Sequence, residues 1–137
     1  LLPNGKTLYG FDITDPDGYE NARQPLIWFE GTGQQIIAYG ELARYYAKKG
    51  DAERARLYAG KAAKYTKFMH AFSDYYNMSS SLPYMSIRPD PQSIVKTLKW
   101  EWEIPRGKDG TQFVGSLSST MWFLYCINGY YNPMRWN

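Results

Sequence analysis

The sequence predicts a mainly α-helical protein built on an antiparallel helical hairpin over about residues 33–76, and three observations carry that expectation. Thr32-Gly33-Gln34-Gln35 has the form of a capping box, in which a threonine hydroxyl and a glutamine side chain satisfy the free N–H groups of a new helix. Lys48-Lys49-Gly50-Asp51 then reads as a stop and a restart. Cations sit near the carbonyl end, glycine supplies a left-handed conformation, and aspartate caps the next helix. On either side, apolar residues recur at helical spacing: Ile36, Ile37, Tyr39, Leu42 and Tyr46 before the turn, and Ala55, Tyr58, Ala62, Tyr65 and Met69 after it. The first set is dense enough to cover more than one face, so the first helix is expected to be well buried. The second is interleaved with Arg54, Arg56, Lys61, Lys64 and Lys67, so its helix is expected outside its partner.

Around this hairpin the chain divides into two regions, an N-terminal loop region (1–26) and a helical region (27–137). The first is rich in turn signals, including Pro3-Asn4-Gly5 and Asp15-Pro16-Asp17-Gly18. Asp12, Asp15 and Asp17 fail the register of a calcium-binding EF-hand loop, because Ile13 stands where an oxygen ligand is needed. Residues 77–115 carry a triple serine, Pro83, Pro89 and Pro91, which block any long helix, and a short helix or strand is expected from Ser93 to Glu103. A last apolar helix is expected from Ser116, which caps it, to Asn128, with Gly129 ending it.

Composition narrows the function. The 137 residues carry a net charge of +3, with 16 Lys and Arg mixed among 13 acids, which is not the single-sign field that draws a nucleic-acid backbone. The basic run from Arg44 to Lys67 falls at helical spacing and reads as a solvated helix face. No apolar run is long enough to cross a bilayer, so no membrane partner is expected and the chain reads as soluble, its compartment open. Asn77-Met78-Ser79 fits a glycosylation acceptor but is too common a pattern to carry weight. One cysteine, Cys126, excludes an internal disulfide, and its apolar flanks predict a buried thiol. With His70 the only histidine, zinc sites and Ser-His-Asp chemistry lack their residues, and no metal or cofactor is implied. Against this plain background the aromatic content stands out: 5 Trp, 13 Tyr and 6 Phe suit a stacking cleft as well as a packed interior.

Four segments carry a family resemblance. Trp28-Phe29-Glu30-Gly31-Thr32-Gly33-Gln34, Leu82-Pro83-Tyr84-Met85-Ser86, Ser119-Thr120-Met121-Trp122-Phe123 and Gly129-Tyr130-Tyr131-Asn132-Pro133-Met134 occur in an order that resembles the last part of an (α/α)6 toroid of the six-hairpin glycosidase-like class. The resemblance covers about residues 27–134 and rests on the joint order of short motifs. It implies antiparallel hairpins with long loops, an aromatic cleft at the ends of the inner helices, and carboxylates that do acid and base work on an oligosaccharide or polysaccharide. Glu30, expected just ahead of the first helix, is then the candidate acid, and hydrogen bonding to the local turn explains it equally well. The second carboxylate is open among Glu101, Glu103, Asp12, Asp15 and Asp17, with Glu101 first because Trp100 and Trp102 flank it. Trp28, Tyr84, Trp100 and Trp122 are the candidate sugar-binding rings.

Six hairpins need over roughly 120 helical residues before any loops, so this chain is expected to be completed by the remainder of a longer parent or by self-association. The rival reading is a tetratricopeptide-like protein-binding module, because Leu42-Ala43, Tyr46, Gly50-Asp51, Ala55 and Ala62 approach that spacing. Such a module predicts a concave groove along residues such as Arg44 and Lys48. A structural piece with no site is the third.

Overall fold

The computed structural model describes residues 7–12, 27–75, 82–83, 86 and 116–129. Helix makes up 76% of these residues, and no strand occurs among them. The three helices are α1 (Phe29–Lys48), α2 (Ala52–Tyr75) and α3 (Leu117–Ile127). The mainly α class and the helical hairpin are as expected.

The start of α1 differs from expectation. The helix begins at Phe29, three residues before the proposed Thr32 cap, and its N-cap is Trp28, whose side chain makes no capping bond. Thr32 lies inside the first turn, where its hydroxyl donates to the Trp28 carbonyl (2.8 Å) and accepts from the Phe11 N–H (3.0 Å). Packing explains the shift. Phe29, Gly33, Ile36 and Gly40 fall at i, i+4, i+7 and i+11 on one helix face, and all are buried. An extra turn places Phe29 edge-on against Phe72 of α2, with ring centroids 4.9 Å apart. Full burial of a phenylalanine is worth about 1.5–3 kcal/mol, more than the ~1 kcal/mol of a typical cap.

The turn between α1 and α2 forms as the sequence indicates. Gly50 adopts φ +76°. Its N–H donates to the Ala47 carbonyl and the Asp51 N–H to the Tyr46 carbonyl, closing a Schellman motif. Asp51 then accepts from the Arg54 N–H (3.0 Å) and caps α2. This turn fixes the register of the hairpin.

Helix α1 is the centre of the fold, with α2 along one flank and α3 across another. The core gathers Phe29, Ile36 and Ile37 of α1, Ala62, Met69 and Phe72 of α2, Leu82, and Phe123 and Cys126 of α3. Helices α2 and α3 meet narrowly, where the His70 ring stands edge-on to Phe123 (4.7 Å). The expected burial of α1 holds for its first three turns only. Beyond Gly40, Leu42 and Tyr45 are exposed. Ser116 caps α3 by accepting from the Ser119 N–H, and Gly129 follows its end with φ +91°.

The contact of α1 with α3 requires a missing side chain. A Cβ on Gly33 would lie 2.7 Å from the Cβ of Trp122, at the rigid root of that side chain. Gly60, exposed on α2, has nothing within 4 Å of such an atom. The same substitution therefore has opposite signs in the two helices. Gly33→Ala is expected to destabilise by about 1–3 kcal/mol through overpacking, and Gly60→Ala to stabilise by about 0.5–1 kcal/mol through helix propensity. Denaturant titration of both variants checks this, and a neutral or stabilising Gly33→Ala would contradict the close crossing.

Candidate functional site

The N-terminal end of α1 is where distant parts of the chain are tied together. Ile27 and Ser86 are joined twice: the Ser86 N–H donates to the Ile27 carbonyl (2.8 Å), and the Ile27 N–H donates to the Ser86 hydroxyl (2.7 Å). At the other side of the same loop, the Leu82 N–H donates to Thr120 Oγ1 (3.2 Å) and the Leu82 carbonyl accepts from the Ser116 N–H (2.8 Å). The Trp28 N–H donates to the Phe11 carbonyl (2.9 Å). Leu82 and Pro83 are buried beneath this network. Three of the four sequence segments singled out above are thus linked, and residues 7–12 join them through Phe11. Of the fourth segment only Gly129 falls among the described residues.

Glu30 is the half-buried second residue of α1, inside its first turn and not ahead of it as the sequence reading had it. The change follows from the earlier start of the helix. Its Oε1 accepts a long hydrogen bond from Gln34 Nε2 (3.4 Å), one turn on. Trp28 lies directly before it, with the indole folded over Gly31 so closely that a Cβ there would run into the ring. Trp28 Nε1 is buried and makes no hydrogen bond. Trp122 packs the root of its side chain on Gly33, and its ring stands edge-on to Tyr125 (5.8 Å). The Ser119 hydroxyl, fully buried next to Thr120, is likewise without a partner. Each such buried, unpaired polar atom is costly unless another group pairs with it.

Tyr84, Trp100 and Glu101, the other candidate site residues, lie outside the described residues, as do Glu103, Asp15, Asp17 and the element expected from Ser93 to Glu103. Asp12 is described and half-buried, and it directly follows the Phe11 that is bonded to Trp28 and Thr32. That attachment brings a second acid to the lead-in of α1. No local pattern singles out Asp12, because the pairings of Phe11 with Trp28 and Thr32 span 17 and 21 residues. Thr32, expected as a cap, instead bonds back to the Trp28 carbonyl. A threonine that back-bonds within a helix has the same sequence signature as one that caps it.

Among the described residues no group of three or more His, Cys, Asp or Glu is placed to hold a metal ion. No described helix is long and apolar enough to cross a membrane.

Cys126 supports the site from below. Its thiol donates to the Gly33 carbonyl (3.5 Å), and burial raises its pKa from an ordinary 9.0 to about 12. The folded state therefore retains a neutral thiol where the unfolded chain ionises. Stability from this group is full below pH 9.0 and is lost as pH rises from there towards about 12. Its slope is at most about 1.4 kcal/mol per pH unit. Denaturant midpoints measured at neutral pH and near pH 10 are expected to fall further for the native chain than for Cys126→Ala, whose comparison cancels the tyrosine and lysine titrations. Equal falls would contradict a buried, neutral thiol. Comparison with known proteins gives no family model, no curated protein and no solved structure that matches this chain.

Proposed function

We propose that this chain is a carbohydrate-active or carbohydrate-binding part of an α/α toroid, with its sugar site at the N-terminal end of α1. One observation carries the reading. The segments around Trp28–Gly33, Leu82–Ser86 and Ser116–Trp122, far apart in sequence, are hydrogen-bonded into one cluster beside Glu30. The half-buried Glu30 and the unpaired Trp28 Nε1 give that cluster an acid and a hydrogen-bond donor.

In glycoside hydrolysis, Glu30 in its protonated form donates a proton to the glycosidic oxygen as the bond to the anomeric carbon breaks. A second carboxylate either attacks that carbon or takes a proton from the water that does. Glu101 is the first choice for the second role, and Asp12 is its rival on the ground of its attachment through Phe11. Trp28, Tyr84, Trp100 and Trp122 offer rings for stacking, as aromatic faces do at wet boundaries. A longer parent chain or further copies supply the rest of the cleft.

A helical protein-binding module is the second reading, favoured by the exposed Leu42, Tyr45 and Leu57 near the hairpin turn. The two are separated by activity. With a panel of neutral and acidic oligosaccharides, Glu30→Gln is expected to lower turnover by about 10²–10⁴-fold while far-UV circular dichroism stays unchanged. Turnover that survives the substitution would remove Glu30 as the acid.

A further inference from the structure

The outer side of the hairpin carries a ladder of stacked rings. Tyr46 lies parallel to Tyr58 (5.6 Å, 6°), Tyr58 stacks on Tyr39 (6.0 Å), and Tyr39 stacks on Tyr65 (6.1 Å). Phe11 and Phe68 extend it from Tyr65, and Tyr9 ends it against Phe68. Cations lie over these rings. Arg54 covers Tyr46, Lys61 sits over both Tyr39 and Tyr58, and Lys64 sits over Tyr9, Tyr65 and Phe68, all at 5.2–6.0 Å. Burial, followed by the neighbouring Tyr65 and Tyr58, raises the pKa of Tyr39, so its phenol stays protonated.

The charge of this surface is not balanced. Three cations, Arg54, Lys61 and Lys64, lie over its rings. Asp51 is engaged by Arg54, at 3.5 Å. Among the described residues no carboxylate pairs with Lys61 or Lys64. Two lysines at i, i+3 on one face repel each other, and an anion between them relieves the repulsion. At about 1.5 Å per residue, Arg54, Lys61 and Lys64 span about 15 Å along α2.

We propose that this ladder binds an anionic polysaccharide, one bearing carboxylates between hydroxyl groups. The inference rests on the carbohydrate reading above and names the substrate class that it admits. Charge complementarity calls for an anion, and the ring geometry narrows the kind. Ring faces are covered by neighbouring rings and by cations, so they do not offer the free stacking platform that single-stranded nucleic acid uses. The ladder's tyrosines are half-buried or, at Tyr9, exposed, and each carries a phenol hydroxyl beside the N–H donors of Arg54, Lys61 and Lys64. Such a surface matches a polymer that carries hydroxyls beside its carboxylates better than an acidic peptide, whose carboxylates come without hydroxyls.

Binding is measured on the full chain by affinity electrophoresis in polygalacturonate, dextran, polyglutamate and oligouridylate, at low and raised salt. Polygalacturonate is expected to retard the chain, less so as salt screens the contact. The double variant K61Q/K64Q is expected to weaken that retardation by about three- to tenfold, as for two exposed charge contacts, with helicity unchanged. Retardation by dextran is expected to be the same for both proteins. No retardation by polygalacturonate, no effect of the double variant, or equal or tighter binding of polyglutamate or oligouridylate would overturn the proposal. The assay needs no turnover, so it reads the ladder whether or not Glu30 is the acid.

Discussion

A side chain at position 33 would occupy volume that the root of Trp122 already fills, and much of the structure depends on that position being empty. Because α1 has only a hydrogen there, α3 can lie against its backbone, close enough for the Cys126 thiol to reach the Gly33 carbonyl. Once α3 is held there, Thr120 meets the Leu82 N–H and Ser116 meets the Leu82 carbonyl, which brings the Leu82–Ser86 stretch to the start of α1. Ser86 then pairs with Ile27, directly before Trp28 and Glu30. Close packing at one point thus sets the position of four hydrogen bonds that join segments far apart in sequence.

What the sequence made legible was what depends on neighbours along the chain. Gly50 and Asp51 specify a Schellman turn and a cap by their own conformational preferences, and both form. Ser116 and Gly129 mark the two ends of α3 for the same reason. The start of α1 differs from expectation because Thr32 has two uses for its hydroxyl, and burial of Phe29 against Phe72 decides between them. Glu30 falls inside the helix for the same reason. The basic run from Arg44 to Lys67 was read as simply solvated, since lysines at helical spacing look the same whether their ammonium groups meet water or rings. Only the register of the hairpin puts Lys61 across from Tyr39, and that register comes from the turn at Gly50.

The site and the ladder occupy different parts of α1. Its first turn holds Glu30 and is tied to three other stretches of chain. Its later turns lend Tyr39 and Tyr46 to the tyrosine stack shared with α2. The unpaired Trp28 Nε1 is the link most specific to a ligand, because a buried indole donor without an acceptor is expensive unless a partner arrives.

That donor also offers the most direct observation. In a ¹⁵N–¹H spectrum recorded while a galacturonate oligosaccharide is titrated in, the account predicts that the Trp28 indole N–H and the Glu30 and Gly31 amides move and saturate together. Perturbations centred on Leu42 to Lys48, with Trp28 and Glu30 unmoved, would contradict a sugar site at the start of α1.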